Sequence, residues 1–401
     1  MEASEINGTS PPAQTQPKGP NWFLAIVPLL ILAGMLVYLF NTGGGLRALT
    51  GPPIEQVSVL RTTLPGPGLI EIDVVNDGPE SLTIAQVTVD EAYWNFHIEP
   101  SNMIPRLGKA TITIPYPWVQ EEAHFITLIT TLGATFEAEI PVAVVSPQPS
   151  TELFLRFGLV GLYVGVFPIA LGMLWFPFIR RIGARGMNFV LSLTLGLLVF
   201  LAVGTWLDAI KLAQTLPSFW QGISLVAFIA ILALGTLLLI GSLTKNRKDA
   251  RTLAFLIAFG IGLHNLGEGL AIGSAFSQGE AALGLFLILG FTLHNITEGV
   301  GISAPLVKEP PRIRFFVLLL LVAGVPAVMG VWAGAFAFNP VLATIFLAIG
   351  VGAIIQVVWE VGKLVSRESK KLGEPLLNWV NFAGFGTGLA IMYFTAFLVK
   401  F

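Results

Sequence analysis

Two stretches decide how this chain is read: His264-Asn265-Leu266-Gly267-Glu268-Gly269 and His294-Asn295-Ile296-Thr297-Glu298-Gly299. The pattern H-N-x-x-E-G occurs twice, thirty residues apart. Each copy sits inside an apolar run of helical length, near 252–274 and 282–306. The chain has four histidines, and both of those inside apolar runs are here. An ionisable group in a bilayer costs about 2.5–3.5 kcal/mol on the insertion scale, so it calls for a reason. His and Glu at i and i+4 share one helix face, about 6 Å apart. Each helix therefore offers an imidazole nitrogen and a carboxylate to one point. Each motif begins about twelve residues into its run, roughly 18 Å of rise, near the middle of a core about 30 Å thick. A short loop joins the two runs, which makes them antiparallel neighbours with their motifs at one depth. Two His and two Glu can close there around a divalent cation, with the two Asn as further oxygen donors. Two carboxylates neutralise such an ion, and the ion offsets the penalty of burying them. A lone intramembrane His or Glu is often interhelical glue, and Gly269 and Gly299 also suit close helix packing. A repeated pattern at matched depth asks for more than glue.

The rest of the chain fits a membrane setting. It has 401 residues, 54% hydrophobic and 11% charged, with net charge −2. Soluble proteins carry about 25% charged residues. The near-neutral charge excludes a broadly basic nucleic-acid binder, so no nucleic-acid partner is expected. The absence of Cys excludes disulfides, thiolate metal sites and cysteine nucleophiles. Further apolar runs lie near 22–40, 153–178, 188–210, 222–242, 314–337, 340–362 and 377–399. Residues 1–20 read as a disordered Ser/Pro/Gln-rich tail. Residues 21–41 read as a retained signal anchor, because one Lys precedes the run and Asn41-Thr42-Gly43-Gly44-Gly45 is no small-x-small cleavage site. Residues 50–148 alternate apolar and polar, as in Leu69-Ile70-Glu71-Ile72-Asp73-Val74. Period 2 predicts half-buried strands, about seven of them in a small β-sandwich. Its twelve acids and three bases, counted over 52–147, leave it at −9.

Basic residues orient the spans. Arg180, Arg181 and Arg185; Lys245, Arg247, Lys248 and Arg251; Lys308, Arg312 and Arg314; and Lys363, Arg367, Lys370 and Lys371 fall in alternate connections. The opposite ones hold Lys211 alone. This predicts a multi-pass plasma-membrane protein whose β domain and C-terminus lie outside. The fold class expected is an all-α membrane protein: an eight-helix bundle over 152–401, preceded by one anchor helix and a small extracytoplasmic β-sandwich.

The two motifs, with Leu270-Ala271-Ile272-Gly273-Ser274-Ala275-Phe276 after the first and Val300-Gly301-Ile302-Ser303-Ala304-Pro305-Leu306 after the second, resemble the fourth and fifth helices of ZIP (Zrt/Irt-like) divalent metal transporters. They are most similar to the prokaryotic branch with HNxPEG in both helices. The resemblance covers roughly residues 153–401. It implies that His264, Asn265, Glu268, His294, Asn295 and Glu298 bind metal, and that Glu360 matches an acidic position of the seventh family helix. Asp208 falls where the family often has a polar or acidic residue at the outer opening. It implies uptake of zinc toward the cytoplasm, with Fe2+, Mn2+, Co2+ or Cd2+ as other cargo, and no enzymatic activity. Three departures matter. The motif proline is Gly267 in one helix and Thr297 in the other. The Glu expected before Pro326 is Val325, which points to one metal position or a weakened second. The connection 244–251 has no His. Two alternatives use the same site: an intramembrane zinc metallohydrolase, or a metal-sensing receptor whose β domain meets a partner of unidentified kind. A homodimer through that domain is a further expectation.

Overall fold

The computed structural model describes residues 22–42, 54–243, 250–279, 281–337 and 339–399. The tail expected at 1–20 and the basic residues Lys245, Arg247 and Lys248 lie outside the described residues. Helix α1 (Trp22–Thr42) carries Pro28 inside it and belongs to a unit separate from residues 55–401. Its apolar stretch Ile26–Leu39 is shorter than the membrane-length helices that follow.

The β-rich region comes next. Its strands are β1 (Val57–Gly66), β2 (Leu69–Asn76), β3 (Leu82–Val89), β4 (Ala92–Trp94), β5 (His97–Glu99), β6 (Met103–Ile104), β7 (Lys109–Ile114), β8 (His124–Thr130) and β9 (Thr135–Ile140). They form two antiparallel sheets, ordered β1-β2-β7-β5 and β4-β3-β8-β9, with β6 on β3. Nine strands among the described residues exceed the seven expected, because β4, β5 and β6 are too short to show an alternation. The alternation elsewhere does its work. Ile70 and Ile72 of β2, Ile112 and Ile114 of β7, and Ile126 and Leu128 of β8 point into one core and are almost wholly buried. Each such side chain contributes about 1.5–3 kcal/mol by leaving water.

Among the described residues, eight helical spans are long and apolar enough to cross a membrane. The first joins α2 (Thr151–Gly161), a π-helical turn at Leu162–Val166, α3 (Phe167–Leu174) and α4 (Phe176–Ile179). Ser150 caps it by accepting from Leu153 N–H. The others are α5 (Ala184–Gln214), α6 (Gly222–Leu243), α7 (Ala250–Ser277), α8 (Ala281–Ser303), α9 (Ile313–Phe336), α10 (Pro340–Lys371) and α11 (Trp379–Val399). A 3-10 turn, Ser218–Trp220, precedes α6. Helix α10 runs nine residues past the expected 362. Seven of those residues are polar, so the apolar run stops short of them, but Leu364 and Val365 pack on the core and Lys363–Glu360 and Lys371–Glu368 pairs at i,i+3 support the helix. Lys308, before α9, also reaches Glu368 at 2.7 Å, and Arg185 of α5 reaches Glu374 at 3.0 Å. These cations gather at one end of the bundle, as their alternate placement in sequence predicts.

Lipid is as apolar as Leu, so burial does not drive these helices together. Small residues and polar contacts do. Helix α6 accordingly turns Phe228, Ile231, Leu232 and Leu239 outward. Helix α7 is its opposite, buried on nearly every side between α8, α9 and α10. The architecture is thus a bundle of membrane-length helices with an N-terminal β-rich region, as the sequence predicts.

Candidate metal centre

The motif glycines set the spacing of the site. A Cβ on Gly269 would fall 2.1 Å from the Ala327 carbonyl oxygen of α9. One on Gly299 would fall 2.2 Å from the Ile169 oxygen of α3. Glycine alone permits those approaches. Helix α7 is thereby pressed on α9, and α8 on α3. The faces left for each other carry the motifs.

Glu268 is the meeting point. Its Oε1 lies 2.9 Å from His264 Nε2 and 2.6 Å from His294 Nε2. His264 and Glu268 come from one helix at i,i+4, and His294 comes from the next. The three side chains are buried, and their ligand-type atoms lie within 4.8 Å of one another. His294 also hydrogen-bonds the Gly290 backbone one turn earlier, which fixes its ring.

The Asn residues act crosswise. Asn265 Nδ2 donates toward Glu298 Oε2 at 3.4 Å, and Asn295 Nδ2 toward Glu268 Oε2 at 3.3 Å. Each motif's amide thus holds the other motif's carboxylate. Each amide also donates to a backbone carbonyl, within one helical turn before a proline. Asn295 reaches Val164 O at 3.0 Å, whose helical donor four residues on would be Pro168. Proline has no N–H, so Asn295 takes that place. Asn265 reaches Ala323 O at 3.0 Å, three residues before Pro326. Four polar atoms of the two motifs remain buried without a hydrogen-bond partner: His264 Nδ1, Asn265 Oδ1, Asn295 Oδ1 and Glu298 Oε1. An unpaired buried polar group costs about 1–3 kcal/mol. Three of these atoms are hard oxygen donors of the kind a divalent cation takes.

The arrangement refines the expected four-residue grip. His264, Glu268 and His294 form one group, while Glu298 stands with Asn265. Thr297, in the place of the motif proline, donates its hydroxyl to the His294 carbonyl at 2.6 Å and ties down the turn that carries His294. Glu360 is buried but stands apart, paired with Lys363 at 3.2 Å. Gly350 of the same helix is level with His264. Glu360 is ten residues farther on, about 15 Å along the axis. Helix α9 offers Val325 beside Pro326, and residues 315–337 contain no acid.

Asp208 of α5 lines the same cavity as the triad. Sequence reading missed two features of the site. The Val164 carbonyl was signalled only by Pro168 four residues on, and the Ala323 carbonyl, whose helical donor would be Ala327, had no signal in the sequence. Gln356 was signalled by being an amide in an apolar run. It is buried, with its Oε1 unpartnered, between the levels of Gly350 and Glu360.

No curated protein matches the chain. The family model described as ZIP Zinc transporter matches residues 242–396, a stretch that holds both motifs and helices α7 to α10. The membrane-spanning part of this chain carries, over those residues, the sequence pattern of the ZIP zinc transporter family.

Proposed function

We propose that this multi-pass membrane protein carries zinc, or a related transition metal, toward the cytoplasm through the paired-motif site. The observation that supports it is the convergence of His264, Glu268 and His294 from two helices on one buried point. An arriving ion sheds water and takes Nε2 of both imidazoles and a Glu268 oxygen. Glu298, Asn265 and Asn295 supply the oxygens that complete or pass on the coordination. A bundle movement then opens the site to the other side, as alternating access requires. Glu360, about 15 Å along α10, receives the ion on the way out. The mixed nitrogen and oxygen set also admits Fe2+, Mn2+, Co2+ and Cd2+.

We read the chain as four parts: a tail over 1–20, a plasma-membrane anchor over 21–41, an outer β domain over 50–148 and the transporter over 152–401. Ligation competes with protonation of His and Glu, so uptake weakens at low pH. The test is metal uptake by reconstituted vesicles containing Glu268→Ala together with Glu298→Ala. Uptake abolished in that variant is the expected result. Uptake at the wild-type rate would contradict the proposal.

A further inference from the structure

A cavity of about 980 Å³ lies in front of the triad, with His264, Glu268 and His294 in its wall. A hydrated ion fills only a small part of that space. Much of the lining comes from α5, α7 and α8, but two stretches of the β region line it too. They are residues 59–62 and Leu64 of β1 and residues among 139–146, after and at the end of β9. The charged side chains on the wall, besides Glu268, come half from each side: Arg61 and Glu139 from the strands, Asp208 and Lys211 from α5.

The β region is seated there by specific contacts. The Asp77 carboxylate, in the turn after β2, accepts from the backbone N–H groups of Ser218 and Phe219, the latter at 3.3 Å. It thus caps the 3-10 turn between α5 and α6. On the α7–α8 connection, a Cβ on Gly279 would fall 2.9 Å from the Val142 carbonyl oxygen and 3.4 Å from Val144 Cβ. No side chain larger than hydrogen fits between them without a shift. Two helix connections therefore hold the strands against the chamber.

We infer that the β region is the outer wall of the ion's route to the triad, and that Arg61 and Glu139 set, with Asp208 and Lys211, the charge an arriving divalent cation meets. The inference rests on the metal-binding reading of the triad. Low-dielectric walls focus the field of the few charges they carry. Two acids and two bases nearly cancel, so a single reversal at the wall changes the balance strongly. Asp77 is a positioning residue, since it acts by holding the strands in place.

The test uses the purified full chain. The association rate of Cd2+ is followed by stopped flow, against release from a fluorescent chelator. Arg61→Glu should speed association by about 3-fold to 10-fold at low ionic strength, and Glu139→Arg should slow it by a like factor. Arg61→Gln, the milder change, should fall between Arg61→Glu and wild type. All differences should shrink at about 0.5 M salt. Bound Cd2+ at saturation should not change, and in vesicles the variants should shift KM with kcat preserved. Wild-type association rates in all three variants would overturn the wall while leaving the transport reading intact. Altered association rates in a protein that shows no flux would keep the wall and discard transport.

Discussion

Glu268 Oε1 takes contacts from two imidazoles on two helices, so the proposed metal site turns on this one carboxylate. Replacing it should be felt first in binding. Glu268→Gln keeps the shape and removes the charge. It should weaken Cd2+ binding by more than about 100-fold, since even outer-shell partners of ligands are worth 10–100-fold. Equilibrium dialysis of the purified protein checks this, and affinity within about threefold of wild type would contradict it. Asn295 has a second duty, because it satisfies a carbonyl that Pro168 leaves open. Asn295→Ala should cost about 1–3 kcal/mol of stability by leaving the Val164 oxygen unpaired. A lowered unfolding midpoint in detergent is the readout, and an unchanged one would count against that role. In the β region, Asp90 shows a linked charge effect. Burial alone would raise its pKa. The Phe125 N–H at 2.9 Å, His124 and Tyr116 outweigh it and hold the carboxyl below its usual 3.8. A depressed carboxylate stabilises the fold above its unfolded pKa, and the contribution is lost as pH falls through the folded one. Tyr116 is the mirror case: burial first, then Asp90, pushes it up to about 12. Its contribution is present below the unfolded tyrosine value and is lost as pH rises toward 12. Hydrogen exchange at the Phe125 amide should therefore stay protected in wild type down to pH below 3.8 and lose protection at neutral pH in Asp90→Ala, which removes the acceptor. Equal protection in both would sink this reading.

At the scale of elements, α7 is held by close backbone approach more than by interdigitated large side chains. Gly269→Ala puts a methyl group where the Ala327 oxygen of α9 sits 2.1 Å away. The helices must part, at a cost of about 1–3 kcal/mol, and the motif faces part with them. Gly235→Ala on α6, with nothing within 4 Å, is the matched control and should be neutral or slightly stabilising. Similar melting behaviour of the two variants would show that this approach is not what holds α7. The spans themselves were legible in sequence because each is an uninterrupted apolar run. The last nine residues of α10 were not, because Lys363, Glu368 and Lys371 are polar and continue the helix through ion pairs that an apolar run does not reveal. Strands β2, β7 and β8 were legible from alternation. Strands β4 to β6, two or three residues long, carry too little pattern to read. The His-to-Glu spacing gave away one face per helix. How the ligands divide, with Glu298 beside Asn265 and apart from the triad, depends on helix crossing and rotamers, which spacing does not encode.

For the whole molecule, a β-rich region and a membrane bundle share the wall of one chamber, and the family pattern covers only the bundle's residues 242–396. Nothing in the alternation of residues 50–148 announces that strands β1 and β9 would line the cavity in front of His264, Glu268 and His294. That juxtaposition comes from long-range contacts such as Asp77 with the Ser218–Trp220 turn. What joins the parts is a single proposed purpose: bringing a divalent ion to His264, Glu268 and His294 and passing it on. The most direct measurement is zinc flux into proteoliposomes, wild type beside His264→Ala/His294→Ala, with bound metal counted by mass spectrometry in the same preparations. Transport through the paired motif requires flux and bound zinc in wild type and loss of both in the double variant. Zinc bound by wild type without any flux, or flux that survives the double variant, would contradict it.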